Sequence, residues 1–250
     1  MKILTVISNY NEEKAIGKTI IDLLNNSTVK TDILVIDNCS SDNSLDVIRS
    51  HNVNYLRHPV NSGGSSGVIK TAFAYAYRNN YDIYCHMDGD NQHKASELIK
   101  IVAPILENRA DVVTGSRFID KVGFQSSFMR RVGIVIFSKL TSLITGRRFT
   151  DITSGFRAYN RRAIEFFATG FLTEIETLTQ LELKMHYAGL KGVEVPVIMQ
   201  PRTSGKSEFT FRNVVKFPVY NLISIVGTVI QHKLGSSSKQ NNMLIKKKKK

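Results

Sequence analysis

The first 116 residues alternate short apolar, β-branched runs with amphipathic stretches, and this alternation constrains the fold more than any other feature of the chain. KILTVIS (2–8), DILVID (32–37), VNYLRH (53–58), DIYCHMD (82–88) and ADVVTGS (110–116) read as strands, mostly of the buried parallel kind. Between them, 11–25 places Ile16, Ile20, Leu23 and Leu24 on one helical face. A helix capped by Ser41 or Asp42 runs to Arg49, and two more are expected over 68–78 and 95–107. Strands and helices at this spacing predict an α/β sandwich around a mostly parallel sheet.

Beyond residue 117 the pattern loosens. Helices are expected over 132–144 and 175–189, the latter closed by Gly189, with a short strand running into a helix over 157–168 and a strand over 192–199. The apolar stretch 213–231 is interrupted by Lys216, Pro218 and Asn221, which disfavours a membrane span. A core helix and an interfacial helix lying on a bilayer both fit it. The expected organisation is a catalytic domain over 1–210, this helix over 211–232 and a disordered basic tail over 233–250.

Charge and cysteines narrow the function classes. Of the net charge of +13, seven lysines in 233–250 account for more than half and leave +6 on the rest. The high pI is therefore weak evidence for nucleic-acid binding, and no recognised nucleic-acid module is present. Two cysteines, Cys39 and Cys85, exclude a disulfide scaffold, and the N-terminal segment lacks the basic start of a signal peptide. A cytoplasmic location is expected.

In open α/β sheets ligands bind beyond the carboxyl ends of the strands. Here those ends carry Ser8-Asn9, Asp37-Asn38, Asp88-Gly89-Asp90 and Ser116-Arg117, which would converge on one polar cleft. Asp88 and Asp90, separated by a glycine that permits a sharp turn, are hard oxygen ligands suited to Mg²⁺ or Mn²⁺ carrying a diphosphate. Gln92 and His93 follow within reach. NSGGSSG (61–67) lacks the Gly-Lys-Ser/Thr of a P-loop, and Gly205-Lys206-Ser207 lacks its preceding glycine. No G-x-G-x-x-G follows the first strand, which excludes a Rossmann dehydrogenase.

SNYNEEKAI, ILVIDNCSSDNS, NSGGSSGVIKTAF, HMDGDNQH, VVTGSRFID, DITSGFRAYNRRAI and VEVPVIMQPRTSGKS stand in an order and spacing that resembles family 2 glycosyltransferases. The likeness covers roughly residues 3 to 210 and is strongest to the polyprenyl-phosphate branch, typified by dolichol-phosphate mannosyltransferase. It implies a GT-A fold and inverting, metal-dependent transfer from a nucleotide-diphospho-sugar to a polyprenyl phosphate at the cytoplasmic membrane face, in surface-glycan synthesis. By the same resemblance Asp88, Asp90 and Gln92 match the metal motif, Asp37 the base-reading acid, and Ser8, Asn9, Tyr10 and Glu12 the stretch that lines the nucleotide pocket. Arg117 and Arg131 match the acceptor-phosphate arginines, and Arg202, Gly205 and Ser207 a loop that closes over the donor.

Phosphate acceptors need guanidinium groups, not a strong general base. Asp151 is the first candidate for orienting or activating the acceptor; Glu174 and Glu176 are weaker ones, and Arg130, Arg161 and Arg162 are expected to be solvated. The pattern departs from the family at Ser8-Asn9, Asn38 and Cys39, which leaves the nucleotide open. The other readings are transfer to a saccharide hydroxyl on a growing glycan and a non-catalytic nucleotide-sugar-binding protein. An anionic membrane surface or a membrane-protein partner would bring the chain to its lipid.

Overall fold

The strands assemble into one seven-stranded sheet, described here from a computed structural model covering residues 1–125, 127–171, 177–202 and 218–234. β1 (Ile3–Asn9), β2 (Asp32–Asp37), β3 (Asn54–Arg57), β4 (Ile83–Asp88), β5 (Val112–Ser116), β6 (Arg157–Asn160) and β7 (Gly192–Pro196) lie in the order β3-β2-β1-β4-β6-β5-β7. β1 pairs in parallel with β2 and β4, β2 with β3, and β5 with β7. Only β6 is reversed, antiparallel to both β4 and β5. The mostly parallel sheet is as expected, and β6 supplies its mixed character.

The continuous apolar runs are explained by burial on both faces. One face packs against α1 (Ile16–Asn26), α2 (Ser44–Arg49) and α4 (Leu98–Leu106), through Ile16, Ile20, Ile48, Leu98, Ile101 and Val102. The other packs against α3 (Ser65–Arg78), α6 (Arg161–Phe166) and α7 (Leu178–Tyr187). At its centre Phe73 meets Tyr84 edge-on at 5.1 Å and Tyr159 at 4.9 Å. Each such fully buried large side chain stabilises the fold by about 1.5–3 kcal/mol.

A third, smaller cluster joins α5 (Phe128–Thr145), α7 and the C-terminal helix α8 (218–234) through Phe137, Leu183 and Ile225, with Ile152 between them. Among the described residues no helix is long and apolar enough to cross a membrane.

Several boundaries differ from the expected ones for local reasons. α1 begins at Ile16, not at 11, because Asn11 takes φ 54 and the Glu12 carbonyl closes a turn onto Ala15 and Ile16 N–H. α5 begins four residues before the expected 132, at Phe128, and ends on Gly146 in the left-handed region at φ 68. α7 starts one turn late in its described part, with Thr177 accepting from Gln180 N–H, and Gly189 takes φ 67 beyond its end. Residues 213–217 and the tail from 235 lie outside the described residues.

Candidate active site

The parallel register sets Asn9 beside Asp37 and Ser8 beside Asp88 at one edge of the sheet. Gly89 turns the chain there, its N–H donating to Ser8 O at 2.8 Å. A Cβ at Gly89 would sit 2.8 Å from that same carbonyl, so only glycine permits the close approach. Asp88 lies between two imidazoles, 3.7 Å from His86 Nε2 and 3.7 Å from His93 Nε2. His93 accepts from the Asp88 N–H at its Nδ1 and stacks on Phe156 at 4.8 Å.

The two carboxylates differ sharply in acidity. Burial would raise Asp88, but His86, His93 and Arg117 outweigh it and hold the carboxyl at about 2. Burial and the neighbouring Asp88 charge push Asp90 up to about 7, against the Gln92 N–H and the Arg130 charge. Burial lowers His93 to about 4, so the ring is neutral near pH 7. Gln92 donates its side-chain amide to Gln200 O at 3.1 Å and its N–H to Asp90.

On the β2 side, Asp37 is fully buried and accepts from Asn9 Nδ2 at 2.8 Å and from Ser40 Oγ at 2.5 Å. Arg57 approaches its other oxygen at 3.5 Å. Asn9 Oδ1 and Glu12 Oε2 are buried acceptors with no partner among the described residues, open to a donor from water or a ligand. Tyr10 is exposed, at 39%. Cys39 occupies the left-handed region at φ 65, a conformation that favours glycine. Asn38, next to it, ties the 61–64 loop down by accepting from Ser62 and donating to Asn61 and Gly64.

The reversed β6 delivers a third wall. Because it runs against its neighbours, the residues preceding it, 151–156, reach the same edge as the ends of β1, β2 and β4. Gly155 lies against Asp88, where a Cβ would stand 3.2 Å from the carboxylate. Asp151 is fully buried and forms a two-point ion pair with Arg117, Nε to Oδ2 at 2.6 Å and Nη2 to Oδ1 at 2.7 Å. Glu194 holds this turn from behind by accepting from Thr150 N–H, Thr150 Oγ and Asp151 N–H. Arg157 holds it from below, donating to Ser154 O and Ile152 O while paired with Glu182 at 2.5 Å.

Asp151, the first candidate for orienting or activating the acceptor, has both carboxylate oxygens paired with Arg117, which fits it for orienting that arginine. Arg131 is exposed, whereas the adjacent Arg130 is partly buried. Burial lowers the pKa of Arg130, which lies close enough to Arg117, Asp151, Asp88 and Asp90 to feel their charges. The sequence signal that could have found Arg130 was the phase of α5, which the later expected start displaced.

After β7 the chain crosses the site's mouth. Gln200 N–H donates to Gln92 O, Phe124 N–H to Met199 O, and Ile198 N–H to Glu97. Arg202 then pairs with Glu12, joining this strap to the nucleotide-pocket side. Gly205, Ser207, Glu174 and Glu176 lie outside the described residues.

Among the described residues no group of three or more His, Cys, Asp and Glu side chains converges as a self-sufficient metal centre. Two carboxylates with one pushed up by the other fit a cation that completes its shell from phosphate oxygens. Asp88 and Asp90 meet that description, and Gly155 leaves the Asp88 carboxylate approachable.

The fold and this edge define an α/β protein with a carboxylate pair and two arginines gathered at the carboxyl ends of its strands. The family model for Glycosyl transferase family 2 matches residues 5–167, and the chain belongs to that family. Undecaprenyl-phosphate mannosyltransferase of Micrococcus luteus is 26% identical over 84% of this chain and 88% of its own. Polyprenol monophosphomannose synthase of Mycolicibacterium smegmatis is 25% identical over 84% and 82%. Both relatives are named for sugar transfer to a polyprenyl phosphate or polyprenol. The structure of glucosyl-3-phosphoglycerate synthase from Mycobacterium tuberculosis with Mn²⁺, uridine-diphosphate and phosphoglyceric acid superposes with a TM-score of 0.67 at 16% identity, over 91% of this chain and 78% of that one. That likeness confirms the GT-A fold.

Proposed function

We propose that the protein transfers a sugar, with inversion, from a nucleotide-diphospho-sugar to a polyprenyl phosphate at the cytoplasmic face of a membrane, for surface-glycan synthesis. The observation that carries this reading is that a carboxylate pair, Asp88 and Asp90, and two arginines, Arg117 and Arg130, on the segments beyond β5, gather close enough to feel one another's charges. The names of the relatives supply the acceptor class.

In this mechanism Ser8, Asn9, Tyr10, Glu12 and Asp37 bind the nucleotide, with the unpartnered Asn9 Oδ1 and Glu12 Oε2 accepting from the donor. Asp88 and Asp90 would hold Mg²⁺ or Mn²⁺, with Gln92 beside them, and such a cation neutralises the leaving diphosphate. Arg130 and Arg117 orient the acceptor phosphate, with Asp151 fixing the plane of the Arg117 guanidinium. A phosphate oxygen of the acceptor attacks the anomeric carbon as the bond to the diphosphate breaks. The attacking oxygen is already anionic at neutral pH, so no base is required. Arg202 and the segment containing Ser207 would close over the donor.

The test is a donor-by-acceptor transfer assay pairing UDP-, GDP- and dTDP-sugars with a short polyprenyl phosphate and with the matching polyprenol. Labelled lipid from the phosphate alone supports the reading; transfer to a saccharide and not to lipid overturns it. Within the same assay Arg130→Ala is expected to raise KM for the phosphate acceptor about ten- to a hundredfold, leaving donor binding near wild type. Arg131→Ala should have little effect. The reverse ranking would remove Arg130 from the acceptor site.

A further inference from the structure

Glu194 stands in the edge strand β7, with Thr114 of β5 as its register partner. A partly buried carboxylate costs free energy unless donors surround it. Burial raises its pKa, against hydrogen bonds from Thr150 and Asp151. Packing alone does not hold the side chain, because a cavity of about 250 Å³, lined also by Thr114, Arg147, Glu182 and Met185, opens beside it. Its hydrogen bonds therefore decide where it sits, and they all lead toward one residue.

The two carboxylate oxygens serve two branches. Oε1 accepts from Asp151 N–H at 3.0 Å, while Oε2 accepts from Thr150 N–H at 2.7 Å and from Thr150 Oγ at 2.6 Å. Through the first branch Asp151 is fixed at its backbone. Its carboxylate then takes Arg117 Nε, Arg117 Nη2 and, at 3.3 Å, the Arg117 N–H. Through the second branch the Thr150 hydroxyl proton is committed to Glu194, so Thr150 Oγ accepts from Ser116 Oγ at 2.6 Å. Ser116 Oγ in turn accepts from Phe118 N–H at 3.2 Å. An ionised carboxylate only accepts, so it fixes the direction of both hydroxyls in this chain. The residues on either side of Arg117 and its guanidinium are thus tied to one group.

We propose that Glu194 is a positioning residue for Arg117, setting its backbone through Thr150 and Ser116 and its guanidinium plane through Asp151. Glu194 acts through these groups and not on a substrate. What Arg117 then does to an acceptor rests on the proposed transferase reading, but the positioning itself does not. An amide at this place offers one acceptor oxygen, so Glu194→Gln can serve only one of the two branches.

The first measurement needs no substrate. Hydrogen exchange at the Arg117 Nε–H is followed by NMR in the full chain with isotope-labelled arginine, the signal being assigned by its loss in Arg117→Lys. In Glu194→Gln this exchange should quicken about tenfold or more. The Arg157 Nε–H, donated to Ser154 O in the core, should stay protected. The second measurement is transfer by the same variant: KM for the phosphate acceptor should rise about tenfold, with the nucleotide-sugar KM near wild type. A purely structural role would lower Tm and leave both the Arg117 exchange and the acceptor KM unchanged. Where Glu194→Gln does not fold, Thr150→Val cuts the hydroxyl chain alone and should move both readings in the same direction by less. Quickened exchange in a chain that transfers to no phosphate would keep the positioning and remove the transferase reading. Unchanged exchange at Arg117 in the folded variant overturns the positioning, and so does an equal loss toward donor and acceptor.

Discussion

Asp88 and Asp90 stand two residues apart yet give up their protons about five pH units apart, at about 2 and about 7. The imidazoles beside Asp88 stabilise its charge, and that charge then opposes ionisation of the buried Asp90. A divalent cation binding there must displace the Asp90 proton at any pH below about 7. Apparent Mn²⁺ affinity, measured by electron paramagnetic resonance in the presence of a nucleoside diphosphate, should therefore fall as pH falls. Between about pH 7.5 and about pH 5.5 the expected loss is about twentyfold. Asp90→Asn should bind weakly and flatten this dependence; an unchanged profile in that variant would count against Asp90 as a ligand. The pair was legible in the sequence because an apolar run ending in Asp-Gly-Asp can only place both carboxylates at a strand's end. Their unequal acidity was not, because it depends on His86, inside β4, and on Phe156 seating His93, neither of which a motif marks.

Elements explain why one wall of the site was easier to read than the other. β1, β2 and β4 are long apolar runs, so their ends, and with them Asn9, Asp37 and Asp88, followed from pattern alone. β6 spans only Arg157–Asn160, and its reversal depends on pairing with β4 and β5, which sequence periodicity does not encode. The partnership of Arg117 with Asp151 and the burial of Arg130 both follow from that reversal and from where α5 begins. β6 also carries the support for this wall: Arg157 and Glu182 are 1% and 2% exposed, and the guanidinium pins two carbonyls of the 151–155 turn. Arg157→Met leaves Glu182 buried and unpaired, at a cost of about 3–5 kcal/mol. Denaturant unfolding should reveal that loss as a lower midpoint with a nearly unchanged slope. Replacing both partners, Arg157→Met with Glu182→Leu, should recover much of the stability but not the geometry of the turn. A single variant as stable as the wild type would mean that Glu182 is neutralised in some other way.

At the scale of the whole molecule, the candidate donor site is assembled from parts distant in the chain. The β1 and β2 ends supply the nucleotide pocket, β4 the carboxylates, and the strap from Ile198 to Arg202 crosses from Gln92 to Glu12. A ligand that touches all of these stabilises the folded chain in proportion to how completely it binds, by about 2.7 kcal/mol at a hundred times its dissociation constant. For a chain of this size that corresponds to a rise in Tm of about 5–10 °C. Two carboxylates, with no third His, Cys, Asp or Glu beside them among the described residues, give a cation little hold on its own. Mn²⁺ alone should therefore shift Tm only slightly, and nucleoside diphosphate alone by an intermediate amount. The two together should exceed the sum of their separate shifts, because phosphate oxygens complete the cation's shell and the cation offsets the repulsion between the diphosphate and the two aspartates. Asp88→Asn or Asp90→Asn should remove the excess while leaving the shift from nucleotide alone close to the wild-type value. Differential scanning fluorimetry across the four ligand combinations reads this directly. Strict additivity, or a full shift from Mn²⁺ alone, would mean that cation and nucleotide bind at separate places, and the carboxylate pair would then have no part in holding the donor.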